Sequence, residues 1–344
     1  MVLNSVRRAR RRWLRARSDR ILRPERPGRR PLIEFSATRI DEDFRITVVG
    51  DSEFFIPFRD SLVVGLHNAG AKAEATTDLE AIDVDDAPHA VLVIGPHDHV
   101  MRKHHRRLSR SVLAAIQTEQ MPTQRQAGYQ LSSKRLEGVL AWSPFYDLVI
   151  DWSRDAIPML RRLGLNALHV PHGHLPLGAT EPTGQSLIVE THDLVFLGGL
   201  GGPQKRRRHL IKALSERFSV HPATGTKVWG EAKVRALCES RLVLNLHSEQ
   251  SLAFASPRFF ETLSLGRPLI SEGVADPWPF VPGVDYIEAA LPGLSGAIKR
   301  ALSDDGMRRR IAESGLSRTL EHPAEDVAGR ILSELLSLHR AISD

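Results

Sequence analysis

The feature that most constrains this chain is a rhythm of short, mostly apolar runs separated by helix-like stretches. "RITVVG" (45–50), "KAEATT" (72–77), "HAVLVIG" (89–95), "SVLAAIQTEQ" (111–120), "YDLVIDW" (146–152) and "ALHVPHG" (167–173) succeed one another, with helical segments such as 54–69 and 154–164 between them. Continuous apolar runs are what strands buried on both faces require. Pro158 has no amide hydrogen to donate, so it must bend or restart the helix that contains it. The expected result is a parallel sheet with right-handed crossovers.

The rhythm stops over 174–190, "HLPLGATEPTGQSLIVE", where Pro, Gly, Ser and Thr gather. Such a stretch reads as an interdomain linker. "VPHGH" (170–174) just before it reads as a hinge element. Alternation then resumes with "DLVFLGG" (193–199), a helix over 206–218, "RLVLNLH" (241–247), a helix that starts at "SPRFFETLSLG" and the strand "PLISEG" (268–273). Helices over about 294–303 and 306–318 follow, and one over 324–342 ends the chain. A chain of 344 residues is too long for one typical core and suits two domains. The fold class is therefore α/β, with two Rossmann-like domains facing a cleft. The expected bounds are an arm at 1–30, a first domain at 31–173, the linker at 174–190, a second domain at 191–323 and a terminal helix in 324–344. Ligands of open α/β sheets bind outside the strand C-termini, here toward that cleft.

Charge and cysteine content narrow the setting. Residues 1–30 hold twelve arginines against Asp19 and Glu25, a balance of +10, whereas the whole chain carries +6. The basicity thus belongs to the arm, whose few apolar residues include Trp13 and Leu14. A basic helix of that kind can lie on an anionic membrane surface. It can also meet nucleic acid phosphates without sequence preference, or be a solvated tail; no specific nucleic-acid partner is expected. The arm lacks the long apolar core of a signal peptide, and no run approaches the ~18 apolar residues of a membrane span. The single cysteine, Cys238, excludes an internal disulfide. These features lead to the expectation of a cytoplasmic protein, associated with the inner membrane face if the arm binds there.

Three stretches of the second half carry chemistry. In "FLGGLGGPQKRRRHLIKAL" (196–214) a strand enters a glycine-rich turn, then Lys205 to Arg208, then a helix. Gly198 and Gly199 let a phosphate approach the backbone, the helix start supplies free amides, and Lys205, Arg206 and Arg207 supply positive charge. The turn is neither a Walker A loop nor G-x-G-x-x-G, and a glycine turn before a basic surface helix has the same pattern. In "LVLNLHSEQ" (242–250), Asn245 and His247 emerge at a strand end, where they serve either a ligand or the local fold. In "SPRFFETLSLG" Ser256 is the expected N-cap, Pro257 suits the first helical position and Gly266 the C-terminal end. Arg258 and Glu261 stand three apart, within one pitch of roughly 5.4 Å. They form either a surface ion pair or a cation for a diphosphate and an acceptor for two ribose hydroxyls.

Together these residues resemble the nucleotide-sugar-binding half of GT-B glycosyltransferases, most of all the family 1 group related to spore-maturation glycosyltransferases. Asn245, His247, Arg258, Phe259, Glu261, Gly266 and Pro268 carry the resemblance over roughly 193–320, with 196–208 in the place of the donor diphosphate loop. Ala253 stands where many relatives have a second Glu. The resemblance implies a metal-independent, hexosyltransferase-type transfer of a sugar from a nucleotide-diphosphate sugar to an acceptor hydroxyl, on a saccharide, a lipid-linked group or a protein. Its setting would be polysaccharide or glycoconjugate biosynthesis. It makes 31–173 the acceptor domain and 191–323 the donor domain, with the terminal helix crossing toward the first. Gly198, Gly199, Lys205, Arg206, Arg207, Asn245, His247, Ser256, Arg258, Phe259 and Glu261 become donor-binding candidates. No cofactor or metal is expected, since the histidines at 97, 99, 104, 105, 169, 172 and 174 show no zinc spacing. Candidate bases follow strands of the first half: Asp51, His97 and Glu119, each equally a turn or cap residue. A non-catalytic nucleotide-binding or assembly protein on a degenerate GT-B fold remains the alternative, and an epimerase of the same architecture a second one.

Overall fold

A computed structural model describes residues 43–50, 53–83, 86–96, 103–119, 133–176, 189–201, 204–224, 229–247 and 252–343. The basic arm, most of the 174–190 linker, Asp51 and His97 lie outside the described residues. The chain divides into two compact units. One is drawn from 1–49, 70–170 and 330–344, the other from 50–69 and 171–329.

The first unit is built on a six-stranded sheet. Strands β1 (Arg45–Val49), β2 (Lys72–Thr76), β3 (Ala90–Ile94), β4 (Val112–Gln117), β5 (Leu148–Asp151) and β6 (Ala167–His169) lie in the order β2-β1-β3-β4-β5-β6, all parallel. Every residue of β3 and β4 is buried, as their uninterrupted apolar runs demand. Helix α1 (Ile56–Asn68) follows β1 in sequence yet groups with the second unit. Helix α2 (Ser133–Trp142), which the sequence reading does not mark, sets Val139 and Trp142 into the core beside Leu160 of helix α3 (Ile157–Arg162). Pro158 falls in the first turn of α3, where its missing amide costs nothing, so the proline restarts the helix.

The second unit has a five-stranded parallel sheet. Its strands are β7 (His192–Leu197), β8 (Val220–Ala223), β9 (Ser240–Asn245), β10 (Leu269–Ser271) and β11 (Ile287–Glu288), in the order β11-β10-β9-β7-β8. Successive side chains of β7 and β9 enter opposite cores. Leu194, Phe196, Leu242 and Leu244 face one, and Val195 and Val243 face the other with Phe259, Phe260 and Tyr286. The helices are α4 (Lys205–Ser215), α5 (Glu231–Cys238), α6 (Ser256–Ser264), α7 (Leu291–Ser303), α8 (Asp305–Leu320) and α9 (Ala324–Ser343), with the first turn of α9 in this unit and its remainder in the first.

Helix α6 is seated tightly. Gly315 of α8 lies so close that a Cβ there would stand 2.7 Å from Leu263 Cδ2 and 2.8 Å from the Asp285 carbonyl oxygen. Asp285 is buried and accepts from Ser314 Oγ at 2.6 Å, Val281 N at 2.8 Å and Arg318 Nε at 3.3 Å. Those bonds fix the loop on which α8 rests.

Candidate functional site

The strand order brings the C-terminal ends of β7, β9 and β10 side by side, followed by the starts of α4 and α6. At Gly198, just past β7, φ is +149°, a value that L side chains rarely adopt. A Cβ there would meet Phe196 Cζ at 3.0 Å, Arg258 Nη2 at 3.3 Å and Arg207 Nη1 at 3.5 Å. The bare glycine backbone is thus flanked by two guanidiniums that converge from α4 and α6. Both guanidiniums also lie over the Phe196 ring, 5.6 Å and 5.9 Å from its centroid.

Arg258 is not the surface residue of the ion-pair alternative. It is half-buried, and its Nη1 donates to Asn245 Oδ1, a neutral acceptor. Burial, with Arg207 beside it and Glu261 opposing, draws its guanidinium down to about 10. Asn245 is itself buried and donates through Nδ2 to Ser271 Oγ at 2.8 Å. Its amide is therefore spent aiming Arg258. His247 is held in the same manner: its backbone amide donates to Glu272 Oε2 at 2.8 Å and Nε2 meets the Gly273 carbonyl at 3.0 Å. Burial pulls the His247 imidazole below its ordinary value, and Nδ1 has no hydrogen-bond partner among the described residues.

The three cations at the start of α4 have different surroundings. Lys205 is exposed. Arg206 is paired with Glu272 and donates to the His247 carbonyl at 2.8 Å, so its charge is already met by a carboxylate. Arg207 is buried and donates through Nε to the Leu246 carbonyl at 3.1 Å. Gln204 holds the N-cap position without a side-chain cap bond, and Gly199 has open space where a Cβ would be.

On α6, Ala255 rather than Ser256 occupies the N-cap position, with φ −94° and ψ 64°, and makes no side-chain cap bond. Ser256 is the first helical residue, and its buried Oγ has no partner among the described residues. Phe259 is core: its ring meets Phe254 at 5.0 Å and Tyr286 at 4.9 Å between centroids. Its contribution is to anchor the helix that carries Arg258 and Glu261. Glu261 is buried and accepts from Lys233 Nζ at 2.7 Å. Burial pushes its carboxyl up, while Lys233 and then Arg258 oppose that. Sequence reasoning missed Lys233 and Glu272. Neither local context marks them, because each is defined by a partner distant in sequence.

In the first unit, Glu119 is exposed just beyond the end of β4. Its backbone is clamped by the Gln117 side chain, which donates from Nε2 to the Glu119 carbonyl at 2.5 Å and accepts from the Glu119 amide. Gln117 Nε2 also donates to Asp151 Oδ2 at 3.0 Å, at the end of the neighbouring strand β5. Burial pushes the Asp151 carboxyl up to about 7, against hydrogen bonds from Ser153 and Gln117. Among the described residues no group of three or more His, Cys, Asp or Glu side chains is arranged to hold a metal ion, and no helix is long and apolar enough to cross a membrane.

Residues 206–333 match a protein-family model described as glycosyl transferase-like. The match begins at the basic start of α4 and includes Asn245, His247, Arg258 and Glu261. The comparison with curated proteins found no match. Among solved structures, HepE of Anabaena, determined with UDP-glucose, is similar at 13% identity over 85% of this chain and 99% of its own, with a TM-score of 0.55. TarM is similar at 10% identity over 80% of this chain and 58% of its own, with a TM-score of 0.52. A UDP-N-acetylglucosamine 2-epimerase is similar at 12% identity over 88% and 98%, with a TM-score of 0.51. The fold is GT-B, as the sequence resemblance implies. That fold is shared with a UDP-N-acetylglucosamine 2-epimerase, so the fold alone does not set the reaction.

Proposed function

We propose that this glycosyl transferase-like protein moves a sugar from a nucleotide-diphosphate sugar to an acceptor hydroxyl, with the donor diphosphate held over Gly198. The observation that carries the reading is the pair of guanidiniums, Arg207 buried and Arg258 half-buried, converging on a position that only a glycine leaves open. A diphosphate fits that chemistry. Two like charges drawn out of water are stabilised by an anion between them, and bonds of that kind are charge-assisted. As the glycosidic bond breaks, negative charge grows on the leaving diphosphate. Fixed guanidiniums and the α4 amides lower the energy of that charge without reorganising. The transfer then needs no divalent cation.

Glu261, one turn along α6 from Arg258, is the proposed acceptor for the ribose hydroxyls. Glu119, exposed beyond β4, is the proposed base for the acceptor hydroxyl. Asn245, His247 and Arg206 act in this reading by fixing the groups that touch the donor. A uridine diphosphate sugar is the first donor to test, because HepE was determined with UDP-glucose. The basic arm is proposed to attach the protein to anionic membrane. Deleting residues 1–30 should abolish salt-sensitive sedimentation with phosphatidylserine vesicles and leave nucleotide affinity unchanged.

The deciding experiment is calorimetry with UDP, GDP and dTDP and their sugars, with and without EDTA, followed by turnover assays with and without saccharide acceptors. Binding insensitive to EDTA and turnover that requires an acceptor support the reading. Turnover without acceptor returns the epimerase. Tight binding with no turnover on any acceptor leaves a nucleotide-binding protein.

A further inference from the structure

Helix α5 holds a lysine whose position the proposed chemistry does not use. Lys233 has a side chain only 3% exposed, and its Nζ donates to Glu261 Oε1 at 2.7 Å. The same ammonium lies over the Phe54 ring, 4.7 Å from the centroid, and over the Trp229 ring at 5.8 Å. Those rings meet edge to face at 5.2 Å. The cation is thus enclosed by a carboxylate and two aromatic faces, which together make up for its lost water.

Glu261 has the complementary arrangement. It lies between Lys233 and Arg258, but Arg258 donates to Asn245. Lys233 therefore supplies the hydrogen bond, and it occupies Oε1, leaving Oε2 without a donor among the described residues. A carboxylate buried to this degree stays ionised only beside a bonded cation. Two ribose hydroxyls need an acceptor-only group, and a protonated carboxyl would turn one oxygen into a donor.

We infer that Lys233 is a positioning residue of the donor site: it holds Glu261 as an ionised acceptor and fixes which oxygen faces the ribose. The inference rests on the ribose assignment made above for Glu261. Lys233 itself touches no part of the donor.

The test is titration calorimetry of the full chain with UDP, 2′-deoxy-UDP and inorganic pyrophosphate. The wild type should prefer UDP to the deoxy form about tenfold. Lys233→Met should cut that preference below threefold, weaken UDP about tenfold and change pyrophosphate by less than threefold. Lys233→Arg should restore most of the preference. If Lys233→Met leaves an unpaired carboxylate that prevents folding, the pair Glu261→Gln and Glu261→Gln/Lys233→Met decides, because neither buries an unpaired carboxylate. UDP affinity should then differ less than twofold between those two variants. An unchanged UDP preference in Lys233→Met, an equal loss toward pyrophosphate, or a further tenfold loss in the double variant overturns the inference. Wild-type protein that binds none of the three probes overturns the donor-site reading itself, a result distinct from all of these.

Discussion

Replacing Arg258 with methionine separates a ligand-binding cation from a structural one, because the two roles predict opposite changes in stability. Burial and the neighbouring Arg207 draw the guanidinium below its ordinary value, down to about 10. At pH 7 the group is charged both folded and unfolded, so the folded state carries the whole penalty. At 1.36 kcal/mol per pH unit that is on the order of 3 kcal/mol. Methionine of similar length removes it. The change also leaves Asn245 Oδ1 buried without its donor, which costs about 1–3 kcal/mol. The free protein should therefore be unchanged or up to about 2 kcal/mol more stable.

Binding should move the other way. A charge-assisted bond contributes about 1.5–3 kcal/mol. Its loss lowers UDP affinity roughly 10- to 150-fold at 1.4 kcal/mol per decade. Urea midpoints and calorimetry on the same preparations supply both numbers. Breaking a stabilising buried ion pair instead costs roughly 3–5 kcal/mol. A variant that loses more than about 2 kcal/mol while keeping UDP affinity within threefold refutes the reasoning and makes Arg258 scaffold.

Two further outcomes follow from the same structure. Gly315→Ala places a methyl 2.7 Å from Leu263 Cδ2 and 2.8 Å from the Asp285 carbonyl, so urea midpoints should report a loss of about 1–3 kcal/mol from overpacking; an unchanged midpoint would mean that α8 moves away freely. Asp151, raised by burial from 3.8 to about 7, binds its proton more tightly folded than unfolded. Its contribution to stability is fully present below the unfolded value and is lost as pH rises through the folded one. From pH 5 to pH 7 the wild type should lose about 1.4 kcal/mol per pH unit relative to Asp151→Asn, and parallel stability curves for the two proteins would contradict the burial argument.

The strands were the most legible part of the fold, because burial on both faces demands apolar residues at every position and leaves a direct mark on the sequence. β8 is the instructive exception. "VHPA" contains Pro222, which argues against a central strand, and β8 is indeed the edge of its sheet. Short α5 went unmarked because "EAKVRALC" places a lysine where an amphipathic pattern expects an apolar residue, and that lysine is the buried Lys233. In the candidate site, Asn245, His247, Arg258 and Glu261 were legible as residues at a strand end and a helix start. Their partners were not: Lys233 lies 28 positions from Glu261, and Glu272 lies 66 from Arg206. Pairing across such distances depends on strand order, which no local window contains. The N-cap is a similar case, since Ser256 has the right chemistry but the chain turns helical one residue earlier.

The pairing also explains why one helix can present a cation and a carboxylate without their neutralising each other. At three residues apart on α6, Arg258 and Glu261 would form an ordinary surface pair if both were solvated. Each has instead been given a different partner from a different element. Asn245 at the end of β9 bonds the guanidinium and Lys233 on α5 bonds the carboxylate. The partners differ in kind as well. A neutral amide orients Arg258 and leaves its charge met only through space by Glu261, whereas a bonded ammonium compensates Glu261. The helix therefore keeps a net positive field at its first turn, beside Arg207 and the bare backbone of Gly198, and a compensated acceptor one turn later. Such an asymmetry is costly in an empty site and favourable to a ligand that is anionic at one end and hydroxylated at the other. A nucleoside diphosphate has that polarity, which is why the charge pattern, more than the fold shared with epimerases, supports a nucleotide-sugar donor.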